Sequence, residues 1–259
     1  MENQGKRLNK FVADSGYCSR READRLIAEG RVQVDGRPGA LGDRVLPGMR
    51  VTVDGQSLSG RGEKVYIALN KPAGIVCTTD PREPMNVVDY LDYPIRIFPV
   101  GRLDKDSEGL LLMTSDGEII NRILRAAGGH EKEYEVEIDR PVTKEFVEKM
   151  SAGVPILDTV TLPCRVRRTG EKSFNIILVQ GLNRQIRRMC EAMGLQVARL
   201  RRVSIGGVKL GMLPAGKWRY LEPKEVRTLV QATGVTQKVA AAYIKQGRSP
   251  AHGEHRTGR

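Results

Sequence analysis

The chain has 259 residues, with 43 Lys and Arg against 31 Asp and Glu, 40% apolar residues and 5% aromatic ones. That length supports one large domain or two unequal ones with a buried core, and the composition excludes a disordered, collagen-like or disulfide-stapled chain. A formal charge of +12 draws polyanions, nucleic acid first and an acidic membrane surface second, unless it serves solubility alone.

Leu8, Phe11 and Val12 fall at helical spacing within residues 7–16, and Gly16 is a suitable stop. Ser19-Arg20-Arg21-Glu22 reads as a capping box, in which the serine hydroxyl and the glutamate carboxylate satisfy free helix-start amides. Ala23, Leu26 and Ile27 carry that helix on to Gly30. Val32-Gln33-Val34 and Val51-Thr52-Val53 alternate as strands do, and each runs into an Asp-Gly turn. Lys6, Arg7 and Lys10 on the first helix and Arg20, Arg21 and Arg25 on the second can share a face suited to RNA phosphates. The same cations also suit a salt-bridged surface with Glu22, Asp24 and Glu29. Residues 57–64 form a polar, glycine-containing linker.

Val65-Tyr66-Ile67-Ala68-Leu69 predicts a strand that stops at Asn70-Lys71-Pro72, and the apolar run from Gly109 to Thr114 predicts a buried one. Ser115-Asp116-Gly117 offers a cap to a helix through Ile119, Ile120, Ile123 and Leu124. Residues 134–138 alternate strictly, as a half-buried strand. Thr143 caps a helix through Phe146, Val147 and Met150, ended by Gly153, and residues 174–179 form another strand. Gln185–Met193 is a helix with Ile186, Met189 and Cys190 on one side and Gly194 at its end. From about Gly234 the chain turns polar and basic, and 247–259 reads as a disordered tail. No apolar run approaches the roughly 20 residues that span a bilayer, and Met1–Phe11 lacks an apolar signal core, so no export is expected.

The charge is uneven. Between Val160 and Arg202 lie Arg165, Arg167, Arg168, Lys172, Arg184, Arg187, Arg188, Arg199, Arg201 and Arg202, against only Glu171 and Glu191. A solvated face ordinarily mixes signs, so this stretch points to a polyanion site. Within it, the basic residues from Arg184 to Arg188 open a helix, where the dipole prefers acids. They either serve a phosphate or carboxylate or form a solvated face. The densest polar cluster is Gly101-Arg102-Leu103-Asp104-Lys105-Asp106-Ser107-Glu108-Gly109, a loop feeding the buried strand. Asp104, among cations, is held ionised and suits a nucleophilic or electrostatic role; otherwise it organises a turn. Tyr134 either stacks on a base or belongs to the core. The four cysteines (Cys18, Cys77, Cys164, Cys190) have neither metal-ligand nor redox spacing, which predicts free thiols in a reducing compartment. No GxGxxG, GxxxxGK[ST] or GxSxG is present, which argues against nucleotide cofactors and a serine hydrolase.

Several segments together resemble a known family. Gly101-Arg102-Leu103-Asp104 with Ser107-x-Gly109-Leu110-Leu111 is similar to the catalytic motif of the RsuA/RluB/RluE/RluF family of RNA pseudouridine synthases. Lys132-Glu133-Tyr134 resembles its second motif, residues 181–189 its third, and Leu69-Asn70-Lys71-Pro72-x-Gly74 the first strand of its catalytic domain. Residues 7–54 resemble its alpha-L RNA-binding motif domain, and the RluF type is the nearest within the family. The resemblance implies an α+β protein with an alpha-L RNA-binding motif domain at 1–60, a mixed α/β catalytic domain with a central antiparallel-rich sheet at 61–234, and a basic tail at 235–259. It implies isomerisation of uridine to pseudouridine in large-subunit (23S) ribosomal RNA by base flipping, without metal or cofactor. Tyrosine tRNA is an alternative substrate, and a non-catalytic rRNA-binding assembly factor is the rival from another class. Asp104 would be the catalytic carboxylate, Arg187 its ion-pair partner and Tyr134 the ring stacked on uracil. Arg102, Arg184, Arg188, Lys10, Arg20, Arg21 and Arg25 would bind RNA. A cytoplasmic monomer is expected.

Overall fold

The computed structural model describes residues 5–59, 64–117, 130–231 and 252–253. The helix expected around Ile119–Leu124 and, apart from 252–253, the basic tail lie outside them. The chain divides into two compact units, residues 1–64 and 65–259.

The first unit runs β1 (Lys6–Arg7), α1 (Leu8–Asp14), α2 (Arg20–Ala28), β2 (Val32–Val34), β3 (Arg37–Pro38), β4 (Arg44–Val45), β5 (Val51–Val53) and β6 (Gln56–Ser57). The strands form a four-stranded sheet, β3-β2-β5-β6, and a separate β1-β4 pair. Asp35-Gly36 and Asp54-Gly55 both adopt positive φ, which lets the β2–β3 and β5–β6 hairpins turn in two residues. Leu8 and Val12 from α1, Ala23, Leu26 and Ile27 from α2, and the valines of β2 and β5 bury together. Ser19 Oγ accepts the Glu22 N–H at 3.0 Å. The Glu22 carboxylate turns to Arg25 instead of the Ser19 amide, so only half of the expected capping box forms.

The second unit comprises β7 (Tyr66–Lys71), α3 (Val87–Leu91), β8 (Phe98–Val100), β9 (Glu108–Thr114), β10 (Lys132–Ile138), α4 (Lys144–Ala152), β11 (Pro155–Ile156), β12 (Thr159–Val160), β13 (Arg165–Arg168), β14 (Ser173–Leu178), α5 (Gln185–Glu191), β15 (Val197–Ile205), β16 (Val208–Lys209), β17 (Trp218–Tyr220), α6 (Pro223–Gln231) and β18 (His252–Gly253). Its ten-stranded sheet has the order β13-β14-β10-β15-β9-β7-β17-β18, with β16 beside β15 and β8 beside β9. Neighbouring strands run antiparallel except β15 and β9, whose parallel pairing sets Arg201 opposite Glu108 and Arg202 opposite Gly109.

β7 and β9 are covered on both faces, which is why their sequences read as unbroken apolar runs. Tyr66, Ala68, Leu110 and Leu112 face a core closed by Val226 and Leu229 of α6. Ile67, Leu69, Leu111 and Met113 face the opposite core, with Val87 and Leu91 of α3. β10, β14 and β15 bury one face only, against Phe146 and Met150 of α4 and Ile186, Met189 and Cys190 of α5. Their other face carries Glu135 and Glu137 opposite Arg201 and Arg199.

Candidate active site

The loop between β8 and β9 carries Asp104. Three neighbours hold its shape. Asp104 O accepts the Ser107 N–H at 3.1 Å, closing a turn. Lys105 O accepts the Gly74 N–H at 2.7 Å. Lys71, fully buried at the end of β7, donates its ammonium to Pro72 O at 2.8 Å and reaches Lys105 O at 3.5 Å. Burial pushes the Lys71 ammonium below its ordinary range, against the pull of Cys77, Asp106, Asp104 and Glu108. Gly109, the second residue of β9, is there for a steric reason: its φ is +102°, and a Cβ there would lie 2.3 Å from Arg202 O. Only glycine allows β9 and β15 to pair this closely.

The second wall is the start of α5. Arg184 precedes its first residue in a left-handed conformation (φ 47°, ψ 36°), without a side-chain cap. That backbone costs about 1–2 kcal/mol for a residue with a Cβ. Arg184 donates to both oxygens of Asp106, at 3.1 and 3.0 Å, and its Nη1 lies 3.8 Å from Asp104 Oδ2. Arg187 is buried behind it, donating to Val197 O and Asp106 O at 3.1 Å each. Its Nε lies 3.2 Å from Asp106 Oδ2 without the alignment of a hydrogen bond. Burial would raise the Asp106 pKa, but the Arg184 hydrogen bonds and the charges of Arg187 and Arg184 outweigh it and hold the carboxyl below the usual range.

Between these walls lies a cavity of about 580 Å³, within the usual range of ligand pockets. Asp104, Arg102, Ser107, His130, Lys132, Tyr134, Arg184 and Arg202 line it, with Leu178, Ile186, Leu200 and Ile205 supplying apolar surface. Tyr134 on β10 stands opposite Arg202 on β15, at a bulge where the register shifts. Burial and the Lys132 charge hold the His130 pKa below its ordinary value, and burial and Arg202 do the same to Lys132. The arrangement is one carboxylate and one aromatic ring in a cationic, partly apolar pocket, suited to a flat polar ring attached to an anionic chain.

The family model described as RNA pseudouridylate synthase matches residues 65–192, and the S4 domain model matches residues 6–51. The chain is 52% identical over 222 residues to the dual-specificity RNA pseudouridine synthase RluF of Escherichia coli K12, covering 85% of this chain and 77% of that one. The chain belongs to the RNA pseudouridine synthase family. The ribosomal large subunit pseudouridine synthase B of Haemophilus influenzae is 35% identical, over 98% of this synthase and 75% of that protein. A crystal structure of a pseudouridylate synthase matches with a TM-score of 0.64 and 29% identity, over 87% of this synthase and the whole of that chain. The rival expectation of a non-catalytic assembly factor is not favoured by these relatives. The expected α+β architecture, with an N-terminal S4 domain (the alpha-L RNA-binding motif) before a synthase domain on a mostly antiparallel sheet, is the one found. No helix among the described residues is long and apolar enough to cross a membrane.

In the synthase, Asp104, Tyr134, Arg102 and Arg184 all line the cavity. The expected Arg187–Asp104 pair does not form. Arg187 is committed to Asp106 and to main-chain oxygens, and the cation nearest Asp104 is Arg184. Arg184, left-handed ahead of α5, and Arg187 and Arg188 within it meet different neighbours. Arg188 donates to Asn183 O and Oδ1, both at 3.1 Å. In the S4 unit Arg20 and Arg21 are exposed on α2, Lys10 is half-buried on α1, and Arg25 is engaged by Glu22 and Glu29.

The basic run at 160–202 is also not the single-sign surface its sequence implies. Arg199 pairs with Glu108 and Glu137, Arg201 with Glu135 and Arg165 with Glu131, while Arg202 is buried. The sheet brings Glu108 of β9, Glu131 just before β10, and Glu135 and Glu137 of β10 to cations from β13 and β15, a neutralisation invisible along the chain. Sequence reasoning missed Asp106 and Lys71 as supports of the loop, and Arg202 as part of the cavity. For Arg202 a signal existed: period-two alternation through Leu200 places it on the inward face.

Proposed function

We propose that this synthase isomerises a uridine of large-subunit (23S) ribosomal RNA to pseudouridine, with Asp104 as the catalytic carboxylate. The observation that carries the assignment is the placement of Asp104 and Tyr134 in one cavity, with Asp104 on a loop fixed from both sides. A base flipped into the cavity stacks on the Tyr134 ring, at an unstacking cost of a few kcal/mol (about 2–4) offset by contacts inside. Asp104 then faces the sugar of that nucleotide. Arg184 lies beside it, and Asp106 and Arg187 act as positioning residues through Arg184 and the loop backbone. Arg102 contacts RNA at the cavity mouth, Arg184 and Arg188 flank it, and the S4 domain adds affinity through Lys10, Arg20, Arg21 and Arg25. The synthase acts as a monomer in the cytoplasm, where its rRNA substrate is found.

A tRNA target is the second reading, favoured by the dual specificity in the name of the RluF relative. Chemical mapping of pseudouridine in total RNA, with and without the gene, separates the two. Loss of a large-subunit position is the expected result; loss at a tRNA position alone moves the substrate. Complementation with Asp104→Asn should restore nothing while the purified variant still binds rRNA. Full restoration by that variant refutes the role of Asp104.

A further inference from the structure

The floor of the cavity holds polar groups that the roles above leave unused. Arg202 is 2% exposed. Its Nε donates to Leu110 O at 2.7 Å and its Nη1 to Arg102 O at 3.4 Å, but its buried Nη2 has no partner among the described residues. His130 Nε2 and Ser107 Oγ are buried in the same condition. The half-buried Lys132 ammonium makes two long contacts among the described residues, to His130 O at 3.4 Å and Val179 O at 3.3 Å. Neither Lys132 nor Arg202 has a carboxylate partner among the described residues. Elsewhere in the synthase domain, Arg184, Arg187, Arg199, Arg201 and Arg219 all have one.

Buried donors are ordinarily satisfied, and buried cations are ordinarily paired. Two neighbouring cations with spare donors in a pocket point to an occupant that supplies oxygens and negative charge. Its shape follows from the walls. Leu178, Leu200 and Ile186, packed with Tyr134, and Ile205 in the same lining suit a flat ring rather than a phosphate, which the exposed arginines can hold at the surface.

We propose that Arg202 and Lys132, with His130 beside them, contact the carbonyl oxygens of the flipped uracil and hold the negative charge that the base takes up when it leaves the sugar. This rests on the synthase reading above. When the N1–C1′ bond breaks, its electron pair stays with the ring and spreads over N1, O2 and O4. The electron-poor C1′ is left to the Asp104 carboxylate. The ring turns, an electron pair at C5 forms the C5–C1′ bond, C5 loses its proton to water and N1 gains one, so the product is an isomer of the substrate. A cationic floor strengthens its contacts as the charge develops and so acts on the rate rather than on binding. Cations reaching oxygens on either side of the ring can also follow it as it turns.

The test uses the full chain and 23S rRNA transcribed with uridine tritiated at C5, whose tritium enters water on each turnover. Lys132→Met should lower the single-turnover rate about 100-fold, with RNA affinity and melting temperature near wild type. Lys132→Arg should recover most of the rate. Lys132→Gln reads the same loss should the methionine variant melt early. A Lys132→Met enzyme at the wild-type rate, or one whose whole defect lies in RNA affinity, overturns the proposal. A wild-type enzyme that releases no tritium overturns the synthase reading itself, and this inference with it.

Discussion

Replacing Gly109 with alanine tests whether the close approach of β9 and β15 organises the active site. The added Cβ would lie 2.3 Å from Arg202 O and 2.7 Å from Arg202 N, both backbone atoms that no side-chain rotation can move. The residue's φ of +102° adds strain for any side chain, about 1–3 kcal/mol. Overpacking against the neighbouring strand adds about 1–3 kcal/mol more. A combined loss of about 4 kcal/mol lowers the melting temperature of a domain this size by roughly 8–16 °C. The control is Gly181→Ala, where no atom lies within 4 Å of the new Cβ and φ is not in the left-handed region; it should melt within about 2 °C of wild type. Thermal unfolding followed by circular dichroism reads both. Tritium release below the melting point should also fall in Gly109→Ala, because Arg202 and the Asp104 loop move together. Equal melting temperatures for the two variants would refute the steric account of this glycine.

Charge removal at exposed Arg20 or Arg21 in the S4 domain should weaken RNA binding and reduce the slope of log K against log salt by about one per lost phosphate contact; an unchanged slope would show that neither side chain meets a phosphate. Asp106, whose folded pKa is depressed, contributes stability that is present above the ordinary aspartate range of about 4 and lost as pH falls through its own lower value. Asp106→Asn should therefore melt earlier than wild type at pH 7, with the gap closing in acid; a gap independent of pH would place the effect elsewhere. Burial pushes the Cys190 thiol up to about 12 and the Cys164 thiol up to about 11. Neither should react with iodoacetamide at pH 8 in the folded enzyme, as mass spectrometry of quenched samples would show.

Elements with strong local signals are legible in the amino-acid sequence. Ser19 and Thr143 cap their helices as their positions imply, the Asp-Gly pairs turn their hairpins, and the β9 run is a buried strand. β15 is only partly legible as a strand: Leu200 and Arg202 alternate inward, but three arginines interrupt its apolar pattern. Their charges are absorbed by partners distant in the sequence: Glu108 for Arg199, Glu135 for Arg201, and main-chain oxygens for Arg202. The same physics explains the corrected ion pair. Family likeness points to Asp104 and Arg187, but which carboxylate an arginine meets depends on how α5 sits against the loop. Arg184, strained at its helix start, takes the position beside Asp104.

The single parallel seam between β9 and β15 has a consequence for the order in which the enzyme becomes active. Residues 66–114 on one side and 132–209 on the other can each form antiparallel pairs as they are made, but their strands join through β9 and β15, about ninety positions apart, and Arg184 and Arg187 reach Asp106 across nearly as many. Contacts of that separation form late, after the local pairs that feed them. Asp104 comes from one half, while Tyr134, Arg184 and Arg202 come from the other. A nascent chain can therefore display a finished S4 domain to RNA long before it holds a cavity that can act on a base. Until the β9–β15 seam closes, the chain holds no complete cavity.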